Sequence, residues 1–340
     1  MKKILSVTAL LLCLALIFAS CGGTAEETTA DNQATEETTL SEEKPVINIG
    51  LLKGPTGMGA AMLLEADEKG TAGACYNLTL AGAPDVLQSS LINEELDIAA
   101  LPTNVAAVLH AKTQGKVQIL AVNTLGVIYL MSNNESITSV SDLKGKTILS
   151  AGKGTTTEYV LNYILSENGL TEGTDVTVEY ASEHAEVITK AIAENYEVIL
   201  LPEPFVTQMK GKDAGYKVAL DLTKEWKALG GSELTMGCIA VRKAFAEENP
   251  EAVKAFINDY TASVNAVNAD PEAAGAIIEK FDIAKAAIAS KAVPNCNIVV
   301  MTGEELKTNV NAYLTVLNGS NPQSTGGSVP DDTFYYQVQQ

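Results

Sequence analysis

Ile47-Asn48-Ile49-Gly50, leading into Lys53-Gly54-Pro55-Thr56, is restated about one hundred residues later as Thr147-Ile148-Leu149-Ser150, leading into Lys153-Gly154-Thr155-Thr156. The restatement keeps its register downstream. Asp97-Ile98-Ala99-Ala100-Leu101-Pro102-Thr103-Asn104 returns as Glu197-Val198-Ile199-Leu200-Leu201-Pro202-Glu203-Pro204, and Leu78 to Ala81 corresponds to Val178 to Ala181. Each unit is a short apolar run closed by Gly, Pro or hydroxyl residues, as a strand ending in a loop is. α/β units share such turn residues, so a chance likeness is the competing reading. In open α/β sheets the loops after the strands gather at one edge. Two similar lobes would then face each other across a cleft lined by Lys53 to Met58, Pro102 to Asn104, Gly152 to Thr157 and Pro202 to Pro204, and a ligand site between them is the natural expectation.

Outward from these units, strand signals fall at Val46 to Leu52, Tyr76 to Leu80, Asp97 to Leu101 and Val117 to Asn123 in the first part, and at Lys146 to Ala151, Val176 to Ala181 and Glu197 to Leu201 in the second. Helical spacing is expected over Gly57 to Lys69, Pro84 to Asn93, Thr157 to Glu167 and Ala185 to Ala193. Gly126 to Ser132 reads as a strand crossing from the first lobe into the second, and Thr235 to Arg242 as the return. The helical runs Pro250 to Asn265, Pro271 to Glu279 and Gly303 to Leu317 must then pack back on the first lobe. The expected fold class is α/β with two lobes. Residues 46–125 and 237–336 would form the first lobe and residues 126–236 the second.

The start of the chain reads as an export signal. Met1-Lys2-Lys3 is basic, and Ile4 to Ala19 is a mostly apolar stretch shorter than the ~20 residues of a membrane span. It ends in Phe18-Ala19-Ser20-Cys21-Gly22, which resembles the lipobox of bacterial lipoproteins, although Leu is usual where Phe18 stands. Residues 1–20 are then a signal peptide, and Cys21 a lipidated N-terminus tying the protein to the membrane. An ordinary signal peptide cut near Ala19 is the alternative. Gly22 to Lys44 carries seven acids against one Lys and hardly a large apolar side chain, so it cannot bury enough surface to fold and reads as a tether, with the folded body beginning near Pro45.

Composition narrows the function. The formal charge of −19 and the absence of a Lys/Arg cluster argue against a nucleic-acid partner. Cys75, Cys238 and Cys296 form an odd set with no C-x-x-C spacing and read as buried or partly buried thiols rather than staples, though a disulfide between two of them stays open. His110 and His184 are the only histidines, both expected on helix surfaces, so a His-based metal cage or triad is disfavoured. No H-E-x-x-H, G-x-S-x-G or G-x-x-x-x-G-K-[ST] motif occurs. Neither a catalytic residue, a metal nor a cofactor is expected.

Pro55-Thr56-Gly57, Leu101-Pro102-Thr103-Asn104, Ser139-Val140-Ser141-Asp142-Leu143-Lys144-Gly145-Lys146, Gly152-Lys153-Gly154-Thr155, Leu234-Thr235-Met236-Gly237 and Val241-Arg242-Lys243-Ala244-Phe245 together resemble the type II substrate-binding lipoproteins of ABC importers. The chain is most similar to the group containing thiamine-pyrimidine, sulfonate and nitrate binders. The likeness spans Pro45 to about Tyr336, and Asp-Leu-Lys-Gly-Lys is its most specific phrase. It implies a periplasmic-binding-protein fold hinged at two crossover strands, a monomer, ABC permease subunits as partners, and a small-molecule ligand captured by hinge closure. A secreted enzyme on this fold and a surface sensor are the rivals.

Within the expected cleft, Lys53, Pro55, Thr56 and Gly57 in one loop and Gly154, Thr155 and Thr156 in the other stand just before helices, where unbonded N–H groups and the dipole hold carboxylate, sulfonate or carbonyl oxygens. Thr103 and Asn104 add neutral donors and acceptors. Glu203 is an anionic acceptor suited to a ligand bearing N–H groups, unless it caps a helix beginning near Phe205. Tyr129, Tyr159, Phe205 and Trp226 are the candidates to stack on a ring, Tyr159 first among them. A nitrogen heterocycle such as a thiamine precursor is the favoured ligand, with a sulfonate or carboxylate behind it.

Overall fold

The computed structural model describes residues 44–230 and 232–337. The expected signal peptide, Cys21 and nearly all of the expected tether lie outside the described residues. Among the described residues eleven strands form two sheets. The first contains β1 (Val46–Leu52), β2 (Cys75–Ala81), β3 (Ile98–Pro102), β4 (Val117–Thr124), β10 (Gly237–Arg242) and β11 (Ile298–Met301). The second contains β5 (Ile128–Ser132), β6 (Thr147–Ala151), β7 (Thr177–Ala181), β8 (Val198–Pro202) and β9 (Lys217–Asp221).

The sequence echo is an echo of topology. The sheets read β2-β1-β3-β10-β4-β11 and β7-β6-β8-β5-β9. In each, the first strand pairs in parallel with the second and third, and a strand arriving from the other half of the chain lies antiparallel against the third. β4 and β9 occupy equivalent places as well. Their starts share a Lys-Val pair, Lys116-Val117 and Lys217-Val218. Only two segments link the sheets, one between β4 and β5 and one leading into β10.

Among the described residues thirteen α-helices cover the sheets. They are α1 (Pro55–Met58), α2 (Ala61–Glu68), α3 (Pro84–Ile92), α4 (Thr103–Lys112), α5 (Thr156–Glu167), α6 (His184–Glu194), α7 (Phe205–Lys210), α8 (Leu222–Ala228), α9 (Lys243–Glu248), α10 (Pro250–Ala269), α11 (Pro271–Lys280), α12 (Ala286–Ala292) and α13 (Gly303–Ser320). The single helix expected over Gly57 to Lys69 is broken into α1 and α2 at Gly59. A Cβ there would stand 2.8 Å from the Tyr260 hydroxyl of α10, so glycine at the break leaves room for the α10 side chains packed against it.

The core distinguishes the two sides of the molecule. On one side a single apolar cluster runs without interruption from Leu101 and Ala106 through Val127 and Met236 to Leu161 of α5 and Tyr313 of α13. On the other side each sheet has its own cluster, one around Ile49, Tyr260 and Ile278 and one around Leu149, Ile199 and Val206. α13 was expected to serve the first lobe alone. It packs against β4 and also against α5 of the second, because Tyr313 is buried beside Thr156. Burial is cooperative only within a continuous core, so the lobes are fused along the α4, α5 and α13 side and separable along the other.

The crossing is tightly held. Leu125 N–H donates to the Asn297 carbonyl at 3.1 Å, the Asn297 amide donates to the Gly126 carbonyl at 2.6 Å, and Val127 N–H points at the Met236 sulfur at 3.5 Å. A Cβ on Gly126 would stand 2.1 Å from the Thr223 hydroxyl, so no larger residue fits at this point without displacing α8.

Candidate functional site

The loops after β1, β3, β6 and β8 meet, and between them lies a chamber of about 130 Å3. Beside it, sharing part of its lining, is an outer mouth of about 290 Å3 formed with α6, α7 and the segment before α12. Of the residues expected in the site, Lys53, Pro55, Thr56, Thr155, Thr156 and Glu203 line the chamber. Gly57, Thr103, Asn104, Gly154 and Tyr159 do not. The rest of its wall is largely apolar, with Leu52, Pro84, Pro102, Val127, Pro202 and Met236.

The excluded residues have other tasks. Gly57 is buried in packing, since a Cβ there would lie 2.3 Å from the Leu52 carbonyl oxygen. Thr103 and Asn104 are wholly buried. The Asn104 amide donates across the lobes to the Gly154 carbonyl at 3.2 Å and to the Ser324 carbonyl at 3.3 Å, while its oxygen accepts from the Thr156 hydroxyl at 3.1 Å. The Tyr313 hydroxyl completes this network by donating to the Thr156 oxygen at 3.1 Å. Tyr159 packs on the core, and Trp226 is fully buried between Tyr163 and Tyr313. Of the four ring candidates, Phe205 alone lines the cleft.

The two loops are not equivalent as anion cradles. α1 is a single turn, and the amides of Gly57 and Met58 are already bonded to the Gly54 carbonyl at 3.1 and 2.9 Å. Before α5 the chain turns through Gly152 and Gly154 at φ near +78° and +76°, which favour glycine. Thr155 N–H and its hydroxyl both donate to the Gly152 carbonyl, at 3.1 and 2.6 Å. Gly154 N–H donates to Glu158, which folds back on the loop. Thr156 and Thr157 are the first two residues of α5, and their amides have no partner within the helix. Both line the chamber, so this end of it offers two N–H donors to a ligand oxygen.

Charge in the chamber is sparse. Lys53 is ion-paired to Asp282 at 2.8 Å, with both side chains well exposed. The Glu203 carboxylate is 2% exposed and accepts from the Thr207 amide at 3.0 Å and the Thr207 hydroxyl at 3.1 Å. Glu203 therefore does cap α7 while standing in the chamber wall. Burial pushes its carboxyl above the ordinary carboxylate range, opposed by the Thr207 bonds and the more distant Lys210. Thr124, also in the wall, has a buried hydroxyl with no partner among the described residues.

Neither histidine sits on a helix surface. His110 is buried, with Nδ1 2.7 Å from the Val117 carbonyl and its ring edge-on to Phe334. His184, the first residue of α6, lines both chamber and mouth. No sequence signal separated it from the solvent face, because a first-turn residue escapes the 3.6-residue pattern that sorts helix faces. Cys238 and Cys296 are buried free thiols, whereas Cys75 is an exposed one. Cys75 departs from the expectation of burial because it opens an edge strand, β2, where alternate side chains face solvent. Among the described residues no group of three or more His, Cys, Asp or Glu is placed to hold a metal ion.

A family model described as "ABC transporter, phosphonate, periplasmic substrate-binding protein" matches residues 73–293. The riboflavin-binding protein RibY of Chloroflexus aurantiacus is 26% identical over 206 residues, which is 58% of this chain and 53% of that protein, so the chain spans about half the length of this relative. Among solved structures, an ABC transporter protein of Parabacteroides distasonis superposes with a TM-score of 0.71 and 25% identity, covering 87% of this chain and 100% of the other. The periplasmic aliphatic sulphonate-binding protein SsuA of Escherichia coli superposes with a TM-score of 0.69 and 17% identity, covering 88% and 94%.

Proposed function

The chain belongs to the family of ABC-transporter periplasmic substrate-binding proteins described for phosphonate, and on that premise we propose that it binds a planar nitrogen heterocycle rather than a phosphonate or sulfonate. The observation that carries this reading is the buried Glu203 carboxylate in a chamber walled mostly by proline, aliphatic side chains and threonine hydroxyls, with the His184 and Phe205 rings and the Lys53 side chain at its edge. A dianionic phosphonate would meet that carboxylate in a poorly solvated space, where like charges repel strongly. The one cation in the wall, Lys53, is exposed and already paired. A heterocycle instead supplies N–H donors to the free lone pairs of Glu203, a carbonyl oxygen to the Thr156 and Thr157 amides, and flat apolar faces to the prolines. Riboflavin, which the Chloroflexus relative is named for binding, is of this type; the aminopyrimidine of thiamine matches it in N–H donors and flat faces but would offer a ring nitrogen or its hydroxyl where the flavin offers a carbonyl. At about 130 Å3 the chamber is smaller than the ~300–1,000 Å3 usual for ligand pockets, so the heterocycle would extend into the mouth and the lobes would part to admit it. Capture followed by presentation to a permease, with no turnover of the ligand, is the corresponding role.

Calorimetric titration with riboflavin, 4-amino-5-hydroxymethyl-2-methylpyrimidine, taurine and methylphosphonate tests the reading. A heterocycle is expected to bind most tightly. Glu203→Gln should weaken that binding about 10-fold, since a hydrogen bond to a charged group contributes roughly 1.5–3 kcal/mol. Tighter binding of methylphosphonate than of either heterocycle would overturn it.

The same reading takes the mature protein to be a monomer held at the membrane through lipidated Cys21, supported by the Ser20-Cys21-Gly22 junction after the apolar run. Cys21→Ala should release the protein into the medium with binding intact. Retention of the variant in the membrane fraction would rule the anchor out.

A further inference from the structure

Four residues belong to both the chamber and its mouth: Lys53, Gly82, His184 and Phe205. Any ligand passing from mouth to chamber, or spanning the two, lies against them. Lys53 is held by Asp282, and Gly82 presents only backbone, with the Glu183 carboxylate about 3.2 Å from where its Cβ would be. His184 is different. Its ring stands 5.3 Å from that of Phe205 at a 39° tilt, and its Nδ1 is closed off from solvent with no hydrogen-bond partner among the described residues, so a ligand would reach that nitrogen only as the lobes part or the ring turns. Burial lowers the ring's pKa to about 4, so it is neutral at periplasmic pH, with one nitrogen donating and the other accepting.

Buried polar atoms are almost always paired, and a bare one in a binding cleft points to a partner that arrives with the ligand. A site that offers a hydrogen bond also rejects analogues that cannot make it, because the site's own buried group is then left unpaired. We propose that His184 is a specificity-determining residue of the cleft: its free ring nitrogen hydrogen-bonds the polar edge of the bound molecule while Phe205 backs the ring. The proposal rests on the reading that the ligand lies between the lobes, but not on the ligand being a heterocycle.

Three variants separate the nitrogen from the ring. His184→Phe keeps the flat surface and removes both nitrogens. His184→Asn restores a polar atom close to the Nδ1 position, and His184→Gln places one nearer Nε2. With riboflavin as the probe, His184→Phe is expected to lose about 10-fold or more in affinity, His184→Asn to recover most of that loss, and His184→Gln to recover less. Binding by His184→Phe within twofold of the parent would overturn the proposal, as would equal recovery by Asn and Gln. If the parent prefers taurine to riboflavin, the heterocycle reading fails by itself. The same three variants titrated with taurine then decide the role of His184 by the same criteria.

Discussion

Replacing Asn104 by Leu is expected to destabilise the protein by about 3 kcal/mol, because buried polar groups left without partners cost roughly 1–3 kcal/mol each and neighbouring losses do not add fully. Leu branches at the same carbon as Asn, so no cavity is left, but its two methyls are bulkier than the amide and add some overpacking at this wholly buried site. The substitution leaves the Gly154 and Ser324 carbonyls without the amide that donates to them and the Thr156 hydroxyl proton without its acceptor, the Thr156 oxygen keeping only its bond from Tyr313. These groups come from α4, the loop before α5 and the segment after α13. Asn104 is therefore a tie between the lobes on their fused side. The reading differs from that of a ligand contact, and denaturant unfolding separates the two. A ligand contact would lose affinity with the unfolding midpoint unchanged, and that result would contradict the tie.

Acidification from pH 6.5 toward pH 4 is expected to remove roughly 2 kcal/mol of stability through His184 alone. Burial holds this ring's folded-state pKa at about 4 against an ordinary 6.5. Between those values the unfolded chain binds more protons than the folded one, so stability is present above the upper value and lost as pH falls through the window. The full 2.5-unit difference corresponds to about 3.4 kcal/mol, reduced here because the side chain keeps some exposure at the mouth. Glu203 acts in the opposite sense. Its raised carboxyl pKa contributes stability that is present at low pH and lost as pH rises above the ordinary carboxylate range. The parent's profile therefore mixes the two, and the comparison with His184→Phe isolates the histidine. Thermal melts over this range should show the parent falling more steeply than the variant. Parallel profiles would mean that His184 is solvated in the folded state.

The hundred-residue echo made the fold class legible because it preserves strand, loop and helix in order, which chance likeness between Gly- and Pro-rich turns does not. It extended further than the two loops suggested. Lys116-Val117 and Lys217-Val218 open equivalent strands, so the same spacing that relates the loops also marks β9. β11 was not readable. It is a four-residue edge strand, Ile298–Met301, reached after four helices, with no partner in the repeat to announce it.

Site residues were legible by loop and not by side chain. The sequence points to Thr155, Thr156 and Glu203 because their loops follow core strands, and these residues do line the chamber. The same logic chose Gly57 and Asn104, which share those loops but turn into packing and an inter-lobe tie. Which way a loop side chain turns is decided by long-range partners. Asn104 is held by Ser324, 220 residues away, and no local pattern contains that information. His184 was missed for the complementary reason, since its neighbours in sequence are those of any helix start, while Phe205 and Gly82, which define its setting, come from elsewhere in the chain.

Backbone hydrogen exchange with and without saturating ligand tests most directly whether the molecule is captured between the lobes. Protection is expected in both lobes at once, at the amides of Thr56 and Thr124 on one wall and of Thr156 and Thr157 on the other, all of which belong to residues lining the chamber. Protection confined to one lobe, or centred on the separate groove around Lys112, Lys116 and Arg242, would contradict the inter-lobe site.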